Sequence, residues 1–243
     1  MRSLALLSVF CLTLSACTTH PLLDADFEAD RIGDRPNTSP PGPPPGDRIV
    51  TSDRSRPIAG LFEVVEYRDR QALRHRETDN LIGNFVYFTA DRTHSRDQPL
   101  YAFWSGEPHL DADGSGYSVY LGDTHFSPFA SVRLRAGRVL LSLLDAGAPG
   151  GYRYEDVGAY VEGRSHSMIL TVDRGMRAFR LDYLGPPRSF SVTGRAVLNQ
   201  SRLENTYTPI LYGTFFEDTN GGDGYYLYDL VQINEREPEV PDE

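Results

Sequence analysis

The sequence predicts an all-β fold, a two-sheet antiparallel sandwich of jelly-roll (concanavalin A-like) type with little helix. Short β-compatible runs fill the chain from Ile49 to Asn234, and clusters rich in Gly, Pro, Asp and Asn separate them. No segment has a helical apolar stripe longer than two turns, and Ser201–Tyr207 is the best candidate for one short helical turn. Many short strands with this punctuation are typical of sandwiches, and the absence of a fixed-period repeat argues against a propeller.

The candidate strands differ in how their apolar residues are arranged. Phe85–Phe88 and Leu100–Trp104 are apolar on both faces, which is typical of strands covered on both sides. Arg177–Tyr183 alternates, and Asp173-Arg174-Gly175 before it has the composition of a hairpin turn. The remaining candidate strands are Tyr117–Leu121, Val132–Arg135, Val139–Leu144, Met168–Asp173, Ile210–Phe216 and Tyr225–Ile233.

The N-terminal residues 1–16 have the pattern of a secretory signal. A positive start at Met1-Arg2 is followed by an apolar run too short to span a bilayer, and small residues precede Cys17. The stretch Leu14-Ser15-Ala16-Cys17 resembles the lipobox of bacterial lipoproteins. That resemblance implies cleavage before Cys17, lipidation of Cys17 and attachment to a membrane through N-terminal acyl chains. Thr18 stands where an inner-membrane lipoprotein has aspartate, so the resemblance implies the outer membrane of a Gram-negative bacterium. The alternative is an ordinary signal peptide that contains a cysteine.

Composition excludes several classes of chemistry. Cys11 lies in the signal and Cys17 at the lipidated position, so no thiol is left for a disulfide, a zinc site or a cysteine nucleophile. All 24 basic residues are arginine, which excludes a Schiff-base or P-loop lysine. The formal net charge of -10 and the lack of a basic cluster argue against nucleic acid as a partner.

A second resemblance concerns the two ends of the domain. Asp26-Phe27-Glu28, the proline-rich segment 36–46 and the closing run Tyr228–Ile233 resemble secreted domains of the concanavalin A-like, laminin G-like type. In that type the first strand pairs near the last, which implies a first strand at Ala25–Asp30. The expected organisation is then a tether at 17–24, a domain at 25–235 with segment 36–46 extended along its edge, and a disordered acidic tail at 236–243. The alternative is a long tether that includes the proline segment.

Two acidic turns are candidates for a structural calcium site. The loop from Asp111 to Gly116 begins like a calcium loop, with oxygen ligands on alternate residues, but Gly122 stands where a bidentate glutamate is needed. A second acidic turn runs from Asp218 to Asp223. Ordinary hairpin-turn chemistry explains the same composition without a metal. The candidate ligands are Asp111, Asp113, Asp218, Asn220 and Asp223.

Aromatic residues on three runs are candidates for a ligand platform, because flat rings stack on sugar rings. Alternation sends Phe103 and Trp104 to opposite faces of one strand, so these two cannot line the same surface. The alternative is that most of these rings belong to the core. The candidate ligand-binding residues are Trp104, Tyr152, Tyr154, Tyr225 and Tyr226.

The sequence contains no catalytic motif, which favours a non-enzymatic role. It has no Gly-x-Ser-x-Gly elbow, and the runs beginning at Glu28 and Glu77 lack the third acid of a laminarinase-like pattern. We therefore expect a lipid-anchored envelope protein that binds a polysaccharide or another envelope protein, or that has a structural role. The alternative is a carbohydrate-active enzyme, either a glycoside hydrolase or a polysaccharide lyase, which an open groove with converging acids and a tyrosine would favour.

Overall fold

A computed structural model describes residues 21–36, 48–53, 60–77, 84–110, 116–124, 128–144, 152–173, 175, 178–194, 205–216 and 223–238. These residues form strands and turns, and no α-helix occurs among them. No helix in this part of the chain is long and apolar enough to cross a membrane. In chain order the strands are β1 (Leu23–Ala25), β2 (Arg48–Asp53), β3 (Phe62–Tyr67), β4 (Arg70–Arg76), β5 (Asn84–Thr89), β6 (His94–Ser95), β7 (Leu100–His109), β8 (Gly116–Asp123), β9 (Pro128–Arg135), β10 (Arg138–Leu144), β11 (Tyr152–Ala159), β12 (His166–Val172), β13 (Phe179–Leu184), β14 (Phe190–Gly194), β15 (Thr206–Tyr207), β16 (Pro209–Phe216) and β17 (Tyr225–Asn234).

Two antiparallel sheets pack face to face, which confirms the predicted sandwich. Sheet A has eight strands in the order β14-β13-β12-β7-β17-β4-β3, with β1 also paired to β17. Sheet B has seven strands in the order β11-β10-β9-β8-β16-β5-β2, and β15 pairs with β6 in a small separate ribbon. Strands distant in sequence are thus neighbours at the centre of both sheets, as in a jelly roll.

The period of two along each strand separates the core from the outer surface. On β7, Leu100, Ala102 and Trp104 are buried between the sheets, within one continuous core cluster. The next residues along the strand, Phe103 and Ser105, lie on the opposite, outer face of sheet A, where they line a cleft. The core therefore fixes which side chains of the central strands are presented outwards.

The core includes a layer of hydrogen-bonded tyrosines and histidines. Tyr117 of sheet B stacks on Tyr226 of sheet A, with ring centroids 4.6 Å apart. The Tyr117 hydroxyl lies 2.8 Å from His75 Nδ1 and 3.0 Å from the Tyr228 hydroxyl. A Cβ at Gly213 would lie 2.2 Å from the Tyr228 hydroxyl oxygen, so only glycine leaves room for this layer. Partners inside the core compensate the desolvation of these hydroxyls.

The structure corrects two local predictions. The first strand is β1, and it pairs with β17 as the resemblance implied, but it ends at Ala25. Phe27 has a φ of 62°, and its ring packs in the core near Phe88. The predicted strand is therefore wrong from Asp26 to Asp30, because the left-handed residue turns the chain. The predicted helical turn is wrong at Thr206–Tyr207, which are the two residues of β15. The signal at 1–16, residues 37–46 and 239–243 lie outside the described residues.

Two buried histidines give the fold a pH-dependent stability. Burial lowers the pKa of His75 and of His166 from 6.5 to about 3. Between those values the unfolded chain binds protons that the folded chain does not, so stability is full above pH 6.5 and falls as the pH decreases. We expect a loss of about 1.4 kcal/mol per pH unit for each histidine, on top of any carboxylate contribution. Urea unfolding from pH 7 to pH 4 measures this slope.

The variant His166→Gln separates the histidine contribution from that of other groups. Glutamine keeps a polar partner for the Tyr226 hydroxyl, which lies 3.0 Å from His166 Nε2, but it does not titrate. In this variant the slope of the unfolding free energy against pH should decrease by the contribution of one histidine. An unchanged slope would show that His166 is not the titrating group.

Candidate functional site

The outer face of sheet A carries a cleft of about 550 Å³. Its floor is formed by β7, β12 and β17, and its walls come from the β3–β4 turn, the residues before β12 and the β13–β14 turn. It is partly open to solvent and has both polar and apolar walls, as small-molecule sites usually do. The lining residues are Tyr67, Arg68, Arg70, Phe103, Ser105, Arg164, Ser165, Ser167, Pro186, Asp229 and Leu230.

A bulge in β17 places a carboxylate in this cleft. The pairing of β17 with β7 shifts register between Tyr228 and Leu230, and both Asp229 and Leu230 line the cleft. A bulge adds one residue to a strand and so redirects the side chains beside it. Ser105 donates a hydrogen bond of 3.3 Å to Asp229 Oδ2, and Arg70 Nη1 lies 3.6 Å from the same oxygen.

Glu107 is a buried carboxylate at one end of the cleft. Only 7% of its surface is exposed, although it lies on the outer face of the sheet. The Tyr67 hydroxyl and the Arg68 guanidinium donate hydrogen bonds to Glu107 Oε2, at 2.5 Å and 2.9 Å. His109 Nε2 donates to Glu107 Oε1 at 2.7 Å. Three donors thus compensate the burial of one carboxylate.

Burial and Glu107 together determine the protonation state of Tyr67. Burial, and then the hydrogen bond to Glu107, raise the pKa of the Tyr67 phenol well above its usual value, so Tyr67 stays protonated. The His109 ring stacks on Tyr225, with centroids 4.3 Å apart and planes at 18°. We call Tyr67, Arg68, Glu107, His109 and Tyr225 the Glu107 cluster.

The structure does not bring the five predicted ligand-binding residues together. Trp104 and Tyr226 are 0% exposed, so proposing them as ligand-binding residues was wrong, because their positions on β7 and β17 face the core. Tyr225 belongs to the Glu107 cluster, beside the cleft. Tyr154 is 38% exposed on sheet B, where the Arg133 guanidinium lies 3.8 Å from its ring centroid. Tyr152 begins β11, and its side chain lies outside the described residues.

The predicted calcium ligands fall largely outside the described part of the chain. This applies to Asp111, Asp113, Asp218 and Asn220, whereas Asp223 is described and exposed. Within the described ranges, no group of three His, Cys, Asp or Glu side chains is arranged to hold a metal ion. Calcium binding stays a prediction. The lipidation candidate Cys17 also lies outside these ranges.

Sequence reasoning missed the residues that line the cleft. One signal was present on β7, where Ser105, Glu107 and His109 alternate with Trp104, Gly106 and Pro108. A polar period of two next to an apolar run indicates a strand with one functional or solvated face. Arg164 and Asp229 gave no such signal, because a loop and a bulge bring them to the cleft.

Comparisons with known proteins show the fold of this chain but assign it to no family. No protein-family model matches the chain. No curated protein matches it in sequence. Among solved structures, the botulinum neurotoxin serotype D binding domain is similar at a TM-score of 0.52 and 10% identity, over 90% of this chain and 49% of that one. The chain therefore spans about half the length of such binding domains.

Two further solved structures have similar folds. Alginate lyase A1-II′, a member of polysaccharide lyase family 7, is similar at a TM-score of 0.51 and 11% identity, over 73% of this chain and 84% of that one. The binding domain of botulinum neurotoxin DC in complex with SialylT has a TM-score of 0.51 and 7% identity, over 80% of this chain and 44% of that one. Similarity at these identities shows a shared sandwich fold, on which sites differ.

Replacing Glu107 tests its importance in the cluster. We expect Glu107→Gln to lower the free energy of unfolding by about 1–3 kcal/mol. The Arg68 guanidinium loses its charged acceptor, and the new amide nitrogen, which is itself a donor, faces donors of the cluster. The matched control is Asp156→Asn, which weakens the exposed pair with Arg138 and should cost under about 1 kcal/mol. Chemical denaturation of both variants measures the difference, and equal losses would contradict the account.

Proposed function

We propose that this chain is a lipid-anchored cell-envelope protein that binds a saccharide in the cleft on the outer face of sheet A. The observation that carries the proposal is the composition of the cleft, in which serine hydroxyls, arginines and a carboxylate surround an apolar floor. Sugars offer hydroxyl groups to polar side chains and C–H faces to apolar ones. Ser165 and Ser167 supply half-buried hydroxyls, Leu230 supplies half-buried apolar surface, and the buried Phe103 and Ser105 lie beneath them.

The similar solved structures support a binding role by analogy. They include binding domains, one of them in complex with SialylT, and an alginate lyase of similar fold in complex with a substrate. A shared fold is an analogy and not evidence about a site. The proposal therefore depends on the cleft itself.

The proposed anchor is Cys17, on the strength of the lipobox resemblance. The first strand begins at Leu23, only six residues after Cys17. Six extended residues reach about 20 Å at most. Acyl chains on Cys17 would then hold the sandwich close to the bilayer, and more than one chain gives firm attachment.

A second candidate function is cleavage of a saccharide in the same cleft. It is favoured by the presence there of Asp229 and Tyr67, with Glu107 behind them, since carboxylates and a phenol can transfer protons. Binding stands first because the chain's own donors already occupy the Glu107 carboxylate. Incubation with polysaccharides, followed by assays for new reducing ends and for ultraviolet-absorbing unsaturated products, tests cleavage. Product formation by the wild-type chain but not by Tyr67→Phe would favour the enzyme.

Filling the cleft should abolish saccharide binding. Ser167 is a half-buried residue of the cleft floor on β12, and Ser167→Trp places an indole in the space proposed for the sugar. We expect loss of binding on an array of defined oligosaccharides. The matched control is Ser191→Trp on β14, an exposed position that does not line the cleft. The proposal fails if the wild-type chain binds no saccharide, or if both variants bind as the wild type does.

Removing the proposed lipidation site should abolish acylation of the N-terminus. In a Gram-negative host, Cys17→Ala is expected to leave an unacylated product, whereas the wild type carries acyl chains on Cys17. Mass spectrometry of the purified N-terminal peptide measures the modification. A wild-type N-terminus without acyl chains would contradict the anchor and leave the cleft proposal untouched.

A further inference from the structure

We infer that the cleft selects a saccharide bearing a carboxylate, which Arg70 and Arg164 hold. This inference rests on the proposed saccharide binding and adds the chemical class of the ligand. Three guanidinium groups line the cleft, those of Arg68, Arg70 and Arg164, although the chain as a whole has a net charge of -10. Among the lining residues these three arginines stand against one carboxylate, that of Asp229, so the cleft offers guanidinium donors to an anionic group.

The three arginines differ in how far they are already neutralised. Arg68 is paired with Glu107 at 2.9 Å, so its charge is compensated. Arg70 lies between two carboxylates, at 3.4 Å from Glu28 and 3.6 Å from Asp229. Both distances exceed the roughly 2.7–2.9 Å of a strong charge-assisted hydrogen bond. Arg70 is therefore able to bind a ligand carboxylate without losing a strong partner.

Arg164 is the more available of the two. It precedes β12 in the loop that forms one wall of the cleft. Among the residues that the structure describes, no carboxylate lies within 4 Å of its guanidinium. Its backbone nitrogen is bonded to the Val161 carbonyl, so the residue is held in place while its side chain stays available. The planar guanidinium of an arginine matches the geometry of carboxylate and phosphate groups.

The rest of the lining favours a carboxylated sugar over a phosphate. The Asp229 carboxylate also lines the cleft, and it opposes the entry of a dianionic phosphate more than that of a single carboxylate. The serine hydroxyls and the Leu230 side chain suit the hydroxyls and C–H groups of a sugar ring. The planar fork of arginine matches the two oxygens of a carboxylate.

Calorimetric titration with three matched tetrasaccharides tests this inference. The probes are a hexuronate tetrasaccharide, its carboxyl-reduced neutral counterpart and a sulfated form of that counterpart. We expect the hexuronate to bind about tenfold or more tightly than the neutral form, the factor expected for one charge-assisted hydrogen bond. The preference should weaken at high salt.

Variants assign the preference to the two arginines. Arg164→Gln and Arg70→Gln should each reduce the affinity for the hexuronate about tenfold and leave the neutral sugar unaffected. Arg164→Lys should restore only part of the loss, because lysine lacks the planar fork. The matched control Arg153→Gln removes the same charge from an exposed position on β11 of sheet B and should change nothing.

The outcomes separate the inference from the proposed function. Equal affinity for the hexuronate and the neutral sugar, lost in Ser167→Trp, would overturn the carboxylate and keep saccharide binding. A preference for the sulfated sugar would also overturn the carboxylate assignment. No binding of any saccharide would overturn the proposed function and the inference together.

Discussion

The antiparallel pairing of β7 with β17 is the constraint on which both the core and the cleft depend. These two strands lie at the centre of sheet A, and their registers run from Tyr225 beside His109 to Asn234 beside Tyr101. One face of the pair carries Trp104 and Tyr226 into the core. The opposite face carries Ser105 and Asp229, which line the cleft. A shift of one residue would exchange the two sets of side chains, so the packing of the core fixes the composition of the cleft.

Burial of polar groups on both faces of sheet A is one cost of this arrangement. The His75–Tyr117–Tyr228 chain compensates it inside the core, and the donors of Glu107 compensate it on the outer face. In both places a fixed hydrogen bond replaces a bond to water. Such networks hold their members in one geometry, and a preorganised site loses less entropy when a ligand binds. The Glu107 cluster thus gives the cleft a rigid end wall.

The fold was predictable from the sequence because local patterns determine strands. The alternation of Arg177–Tyr183 corresponds to β13, and the run Tyr225–Ile233 corresponds to β17. The site was predictable only in part. Alternation correctly put Phe103 and Trp104 on opposite faces, but both are apolar, so the pattern could not say which faces the core. The cleft also needs Asp229 at a bulge and Arg164 in a loop, and register and loop position depend on contacts distant in sequence.

A crystal structure of the chain from residue 21 onwards with a bound hexuronate tetrasaccharide tests the central claim most directly. The account predicts density for the sugar in the cleft of sheet A, with its carboxylate at Arg70 and Arg164. Density for the sugar on sheet B, for example at the Tyr154 ring, would contradict the account.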